Sequence, residues 1–157
     1  MLHRLLTVVL MTACLLLTGA PAFAAPPETE TTVQKNLVET FVDIVPTSNC
    51  VEEGPLYTIT TTTNLVEHST VFDDGRAHFT FTQTGTFVAR PLNGGPSFTG
   101  SFTTWGGFND NGKVQNGTFT FTVRGTGSDG SRFVTHTTEH FNTTPTGAEF
   151  FFSKCHD

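Results

Sequence analysis

Positive charge is scarce in this chain. Its 157 residues carry 8 Lys and Arg against 14 Asp and Glu, a net charge of −6 with histidine neutral. Such a balance repels phosphate backbones and anionic lipid, which argues against a nucleic-acid partner. Lysine is reduced to Lys35, Lys113 and Lys154. No window shows convincing helical periodicity. Beyond Leu17 no apolar run approaches the roughly 20 residues of a membrane-spanning helix. There is no Gly-x-Ser-x-Gly elbow for a nucleophile, and no glycine-rich loop followed by Lys-Ser/Thr for a phosphate. Cysteine is limited to three, none in a Cys-x-x-Cys pair, which argues against a structural zinc site. No motif calls for a cofactor or a metal.

What the chain does have begins with a leader. His3 and Arg4 precede the apolar stretch Leu5 to Leu17, and Ala22-Phe23-Ala24 follows with small residues at both recognition positions. That is the pattern of a secretory signal peptide over 1–24, cut after Ala24. Cys14 belongs to this leader, since the apolar run continues past it. Loss of Arg4 leaves seven basic against fourteen acidic residues, a net charge of −7. The expected location is extracellular, with no membrane anchor after cleavage. Cys50 and Cys155 are then the two remaining cysteines, and in an exported chain they are expected to pair. Closing a loop of about 100 residues is worth about 4–5 kcal/mol on the chain-entropy model.

The Pro-, Glu- and Thr-rich stretch 25–35 reads as a disordered spacer, and 36–157 as one domain. Within that domain Gly117–Val123 is the model segment: Phe119, Phe121 and Val123 alternate strictly with Thr118, Thr120 and Thr122. Period-two alternation marks a half-buried strand. The same pattern recurs at Phe79–Thr82 and Phe98–Phe102. Strands are expected at about 36–45, 56–72, 76–89, 98–108, 115–126, 132–141 and 148–155, separated by turns rich in Gly, Asn, Asp or Pro. The second run is long, so a bulge or break near Asn64 is expected. At the Asp73-Asp74-Gly75 turn a two-residue loop is preferred, setting Phe72 opposite Ala77 and grouping Phe72 with Phe79 and Phe81. The whole is an all-β antiparallel meander of seven to eight strands. A sheet this long has to hide its edges, by closing into a small barrel or, alternatively, by folding into a sandwich.

Asn49-Cys50, His68 and His78 around Asp74-Gly75, Gly127-Ser128, His136, His140 and a last strand ending in Cys155 together resemble a family of small secreted bacterial proteins, frequent in actinomycetes, with no assigned function. The resemblance implies a calycin-like β-barrel and no catalytic residues.

Three functions follow as expectations. The Phe residues can line a barrel cavity for a small apolar ligand, through Phe79, Phe81, Phe102, Phe119 and Phe121, with Trp105 and Tyr57 as polar handles at its mouth. Alternatively, the same rings fill the core and the protein is an extracellular interaction module acting through its Thr-rich surface. A barrel isomerase or cyclase would instead need polar groups inside, with His136, Glu139 and His140 as the candidates. The oligomeric state is left open.

Overall fold

Thr and Phe in alternation give strands with one hydroxyl face and one aromatic face, and the structure is built from that alternation. The computed structural model describes residues 26–45 and 53–156. It holds β1 (Glu28–Ile44), β2 (Leu56–Val71), β3 (Ala77–Pro91), β4 (Phe98–Asp110), β5 (Gln115–Gly127), β6 (Arg132–Thr143) and β7 (Glu149–His156). They form one seven-stranded antiparallel sheet in the order of the chain. Each strand's backbone lies against only its sequence neighbours, and among the described residues β1 and β7 do not pair, so the sheet is open.

Two expectations about β1 and β2 are corrected. The stretch expected to be a spacer is part of β1: Thr29 and Thr31 pair with Thr70 and His68. Its Thr and Glu residues alternate in step with the partner strand, and that pairing outweighs a composition that suggests disorder. The long run of β2 is also unbroken. The bulge lies in its partner, between Gln34 and Leu37, where Asn36 takes a left-handed φ of 56°. Asn64 is nonetheless involved, because its side-chain oxygen accepts the Asn36 N–H at 3.1 Å. Asparagine tolerates this conformation better than other side chains.

The hairpin register is corrected as well. Phe72 N–H donates to the Arg76 carbonyl and Gly75 N–H to the Phe72 carbonyl, so the loop has three residues, Asp73 to Gly75. Gly75 has a φ of 84°, the left-handed position that closes such a loop. Phe72 therefore packs under the Arg76 guanidinium, 4.7 Å from the ring centroid, rather than beside Phe79 and Phe81. The same pair of backbone bonds recurs at Gly127–Ser131 and Thr144–Ala148.

In two of these loops an aspartate ties the turn. The Asp74 carboxylate accepts the Arg76 N–H and its guanidinium, and the Asp129 carboxylate accepts the Ser131 hydroxyl and N–H. Those bonds hold both carboxyls below their ordinary value of 3.8. A depressed folded-state value means stability that is present above the unfolded value and lost as pH falls through the folded one. The melting-temperature deficit of Asp129→Ala is therefore expected to be fully present well above pH 3.8 and to shrink as the pH falls below it. A deficit that is constant or grows in acid would contradict this reading.

The apolar core is concentrated toward one end of the aromatic face. Tyr57, Ile59, Phe87, Ala89, Phe98, Val123 and Phe133 are buried there with Val45, and Phe41, Phe102 and Phe121 pack against them. Thr63 is buried among them with an unpartnered hydroxyl. Replacing it by valine removes a desolvated polar group at nearly constant shape. Thr63→Val is expected to raise stability by about 1 kcal/mol in denaturant titration, and a loss would show that the hydroxyl is bonded.

Candidate functional surface

Residues directly opposite each other in an antiparallel pair share a face, so the register assigns every strand residue to one side. On the aromatic side a phenylalanine stands opposite a glycine again and again: Phe102 opposite Gly85, Phe87 opposite Gly100, Phe141 opposite Gly117 and Phe133 opposite Gly125. The rings lie over those glycines. A Cβ built on Gly117 would come within 2.4 Å of the Phe141 ring, and one on Gly125 within 2.3 Å of the Phe133 ring. Small residues also let rings reach across an intervening strand. Phe98 meets Tyr57 and Phe133 edge to face at 5.7 and 5.6 Å, spanning Ala89 and Gly127. The rings thus fill the space above the sheet's own backbone.

Of the residues expected to line a cavity, Phe79, Phe81, Phe102, Phe119 and Phe121 do share this face. They are in contact with other rings: Phe79 with Phe108 at 6.0 Å, Phe81 with Phe119 at 5.8 Å, and Phe102 with Phe121 at 6.2 Å. Trp105 is the exception and a correction. It pairs with Thr82 and Thr120, which puts it on the hydroxyl face, where it is 53 % exposed. Tyr57 is buried in the core rather than standing at a mouth.

The other face is a carpet of hydroxyls. Thr62, Thr86 and Ser101 form one rung across β2, β3 and β4, and Thr84, Thr103 and Thr122 form the next across β3, β4 and β5. Neighbouring strands stand about 4.8 Å apart and same-face residues about 6.6 Å apart along a strand. His136 and His140 lie on this face, each with its Nδ1 against a threonine hydroxyl of β5: Thr122 at 2.8 Å and Thr118 at 2.9 Å. His68 meets Thr31 at 2.7 Å and His78 meets Asn109. In the observed register His68 and His78 share the face on adjacent rungs. Glu139 stands apart from these histidines, on the aromatic side opposite Phe119. The three polar candidates for an enzyme are thus divided between the two sides of the sheet. Among the described residues no group of three His, Cys, Asp or Glu is placed to hold a metal.

The feature that one-dimensional reading missed is a division of charge. The eight carboxylates on strands, Glu28, Glu30, Glu39, Asp43, Glu67, Asp110, Glu139 and Glu149, all lie on the aromatic side. Arg90, Arg124, Arg132, Lys154 and the five histidines of the described strands all lie on the hydroxyl side. The signal was available as parity: in each strand the acids keep step with the core-facing residues and the basic groups with the threonines. A net negative chain thus presents one face without a single strand carboxylate.

No protein-family model, curated protein or solved structure matches this chain. Its function is therefore argued from these two faces.

Proposed function

We propose that this chain is a secreted, non-enzymatic interaction module, in which the aromatic side is a filled scaffold and the hydroxyl side is the working surface. The observation that carries it is the covering of strand glycines by phenylalanine rings, which leaves the aromatic layer occupied by its own side chains. By contrast, Thr82, Thr84 and Thr86 of β3, Thr99 and Thr103 of β4 and Thr118 and Thr126 of β5 stand exposed on the hydroxyl side.

Closure into a calycin-like barrel, tied by a Cys50–Cys155 disulfide, belongs to the same proposal. Support comes from the edges. On the aromatic side, which closure would cover, Leu37 of β1 is 39 % exposed and Phe151 of β7 68 % exposed, an apolar load that bare sheet edges rarely carry. Cys155 sits on the aromatic side of β7, opposite Thr137, whereas Cys50 lies outside the described residues. Intact mass of the protein from culture medium is expected about 2 Da below the reduced chain, with the leader 1–24 removed; a reduced mass overturns the bridge.

The reading as an apolar-ligand carrier draws on a different observation, the half-buried rings of Phe79, Phe108 and Phe141 at the far end of the aromatic side. Thermal unfolding separates the two. A filled layer is expected to show no rise in melting temperature with long-chain fatty acid or a hydrophobic dye. A saturable rise would favour the carrier instead, because a ligand bound only to the folded state must stabilise it.

A further inference from the structure

We infer that the hydroxyl face is a binding site for an anionic glycan whose sugars carry carboxylates, a polyuronate. The inference rests on the reading of this face as the working surface. It starts from Arg124 and Arg132. Arg124 pairs with Val134 and Arg132 with Thr126, so the two arginines are diagonal neighbours on adjacent strands. Diagonal positions of this kind lie about 7–8 Å apart, within joint reach of one ligand. No ion pair to either is seen among the described residues. The face around them carries no strand carboxylate that could neutralise them.

The ground between them is an open hollow of mixed lining, with hydroxyls beside small and apolar residues. A hollow of about 320 Å³ is lined by Arg124, Arg132, Thr99, Ser101 and Thr126 together with Phe133 and Val134, and a second of about 210 Å³ by Arg124 with Ser101, Phe102, Thr103 and Thr122. The two hollows meet at Arg124. Four residues further along the sheet, roughly 13 Å, Trp105 stands half exposed beside Thr120. Lys154 belongs to the same rung, across Thr138.

Each part matches a part of an acidic sugar chain. Guanidinium groups bind carboxylates through two parallel hydrogen bonds. Threonine hydroxyls both donate and accept, as sugar hydroxyls do. An exposed indole offers an apolar plane with a polar edge, suited to the apolar face of a sugar ring. A nucleic acid fits less well, because the fixed cations are few and the remainder of the chain is acidic. A membrane fits less well too: Trp105 is set among threonines rather than in an apolar patch.

Trp105 is the chain's single tryptophan, so its fluorescence reports on this face alone. The full mature chain is titrated with polygalacturonate, with dextran, with a linear polyphosphate and with single-stranded DNA. Polygalacturonate is expected to change the Trp105 emission saturably, and to bind about tenfold or more weaker in Arg124→Gln and Arg132→Gln. Arg124→Lys keeps the charge and loses the paired hydrogen bonds, so it is expected to weaken binding as well. Arg76→Gln, in the Asp74 turn, is expected to bind as the parent does. Calorimetry replaces fluorescence for Trp105→Ala, which is also expected to weaken binding. Unchanged circular dichroism identifies which variants remain folded.

Equal or tighter binding of dextran, polyphosphate or DNA would overturn the inference, as would no response to polygalacturonate. If polygalacturonate fails and fatty acid also leaves the melting temperature unmoved, only the ligand class falls. If fatty acid stabilises the protein, the assignment of the working face falls with it.

Discussion

Gly100→Ala is expected to destabilise the fold by about 3 kcal/mol or more, the upper range for overpacking a tight site. A Cβ at this position would lie 1.9 Å from the Arg124 carbonyl oxygen and 2.9 Å from its carbonyl carbon. Both are backbone atoms of β5, so no side-chain rotation relieves the clash. The Phe87 ring closes the remaining side at 2.7 Å. Alanine can be admitted only if β4 and β5 separate, which breaks the ladder in the middle of the sheet. Gly107 is the control. It lies on the opposite face, where the nearest atom to an added Cβ is the Phe79 carbonyl oxygen at 3.4 Å. Gly107→Ala is expected to be neutral or to stabilise by about 0.4–1 kcal/mol, by restricting the unfolded chain. Chemical denaturation of the pair provides the measurement. Equal stabilities would mean that β4 and β5 do not approach as closely as described.

Phe98→Ala is expected to cost about 3–5 kcal/mol. Phe98 is 4 % exposed and touches Tyr57 on one side and Phe133 on the other, both edge to face. Its removal takes away a ring's worth of transfer energy and disconnects β2 from β6, two elements that share no backbone contact. Such a loss is a large fraction of the roughly 5–15 kcal/mol that holds a small domain together. Phe151→Ala, on an edge strand where the ring is 68 % exposed, is expected to change stability by no more than about 0.5 kcal/mol in the open sheet. A large effect at Phe151 would itself support closure of the sheet over β7.

These contrasts show which parts of the structure could be read from the sequence. β3, β4 and β5 were legible because threonine and phenylalanine alternate within them, and β2, β6 and β7 because turns rich in Gly, Asn, Asp and Pro bound them. β1 was read too short, since the pairing of Thr29 and Thr31 with β2 is not visible within 25–35 alone. The register of the Asp73–Gly75 hairpin was decided by Gly75 and by the Arg76–Phe72 stack, neither of which hydrophobic grouping takes into account. Trp105 was misplaced although its parity was available: Phe98 and Phe102 are even-numbered, Trp105 is odd, and β4 has no bulge between them. The strand glycines were unreadable for another reason. Their partners lie on neighbouring strands, and only the register reveals that each is the floor beneath a ring.

The division of charge between the faces is tested most directly by quenching Trp105 with ions of opposite sign. The whole chain is acidic, so on net charge alone a cation such as caesium would quench more efficiently than an anion such as iodide. The local surroundings of Trp105 reverse that order, because the strand carboxylates are on the other side and Lys154 shares its rung. Iodide is expected to give the steeper Stern–Volmer slope, and added salt to bring the two slopes together. A steeper slope for caesium, or an indole that neither ion reaches, would contradict the two-faced sheet.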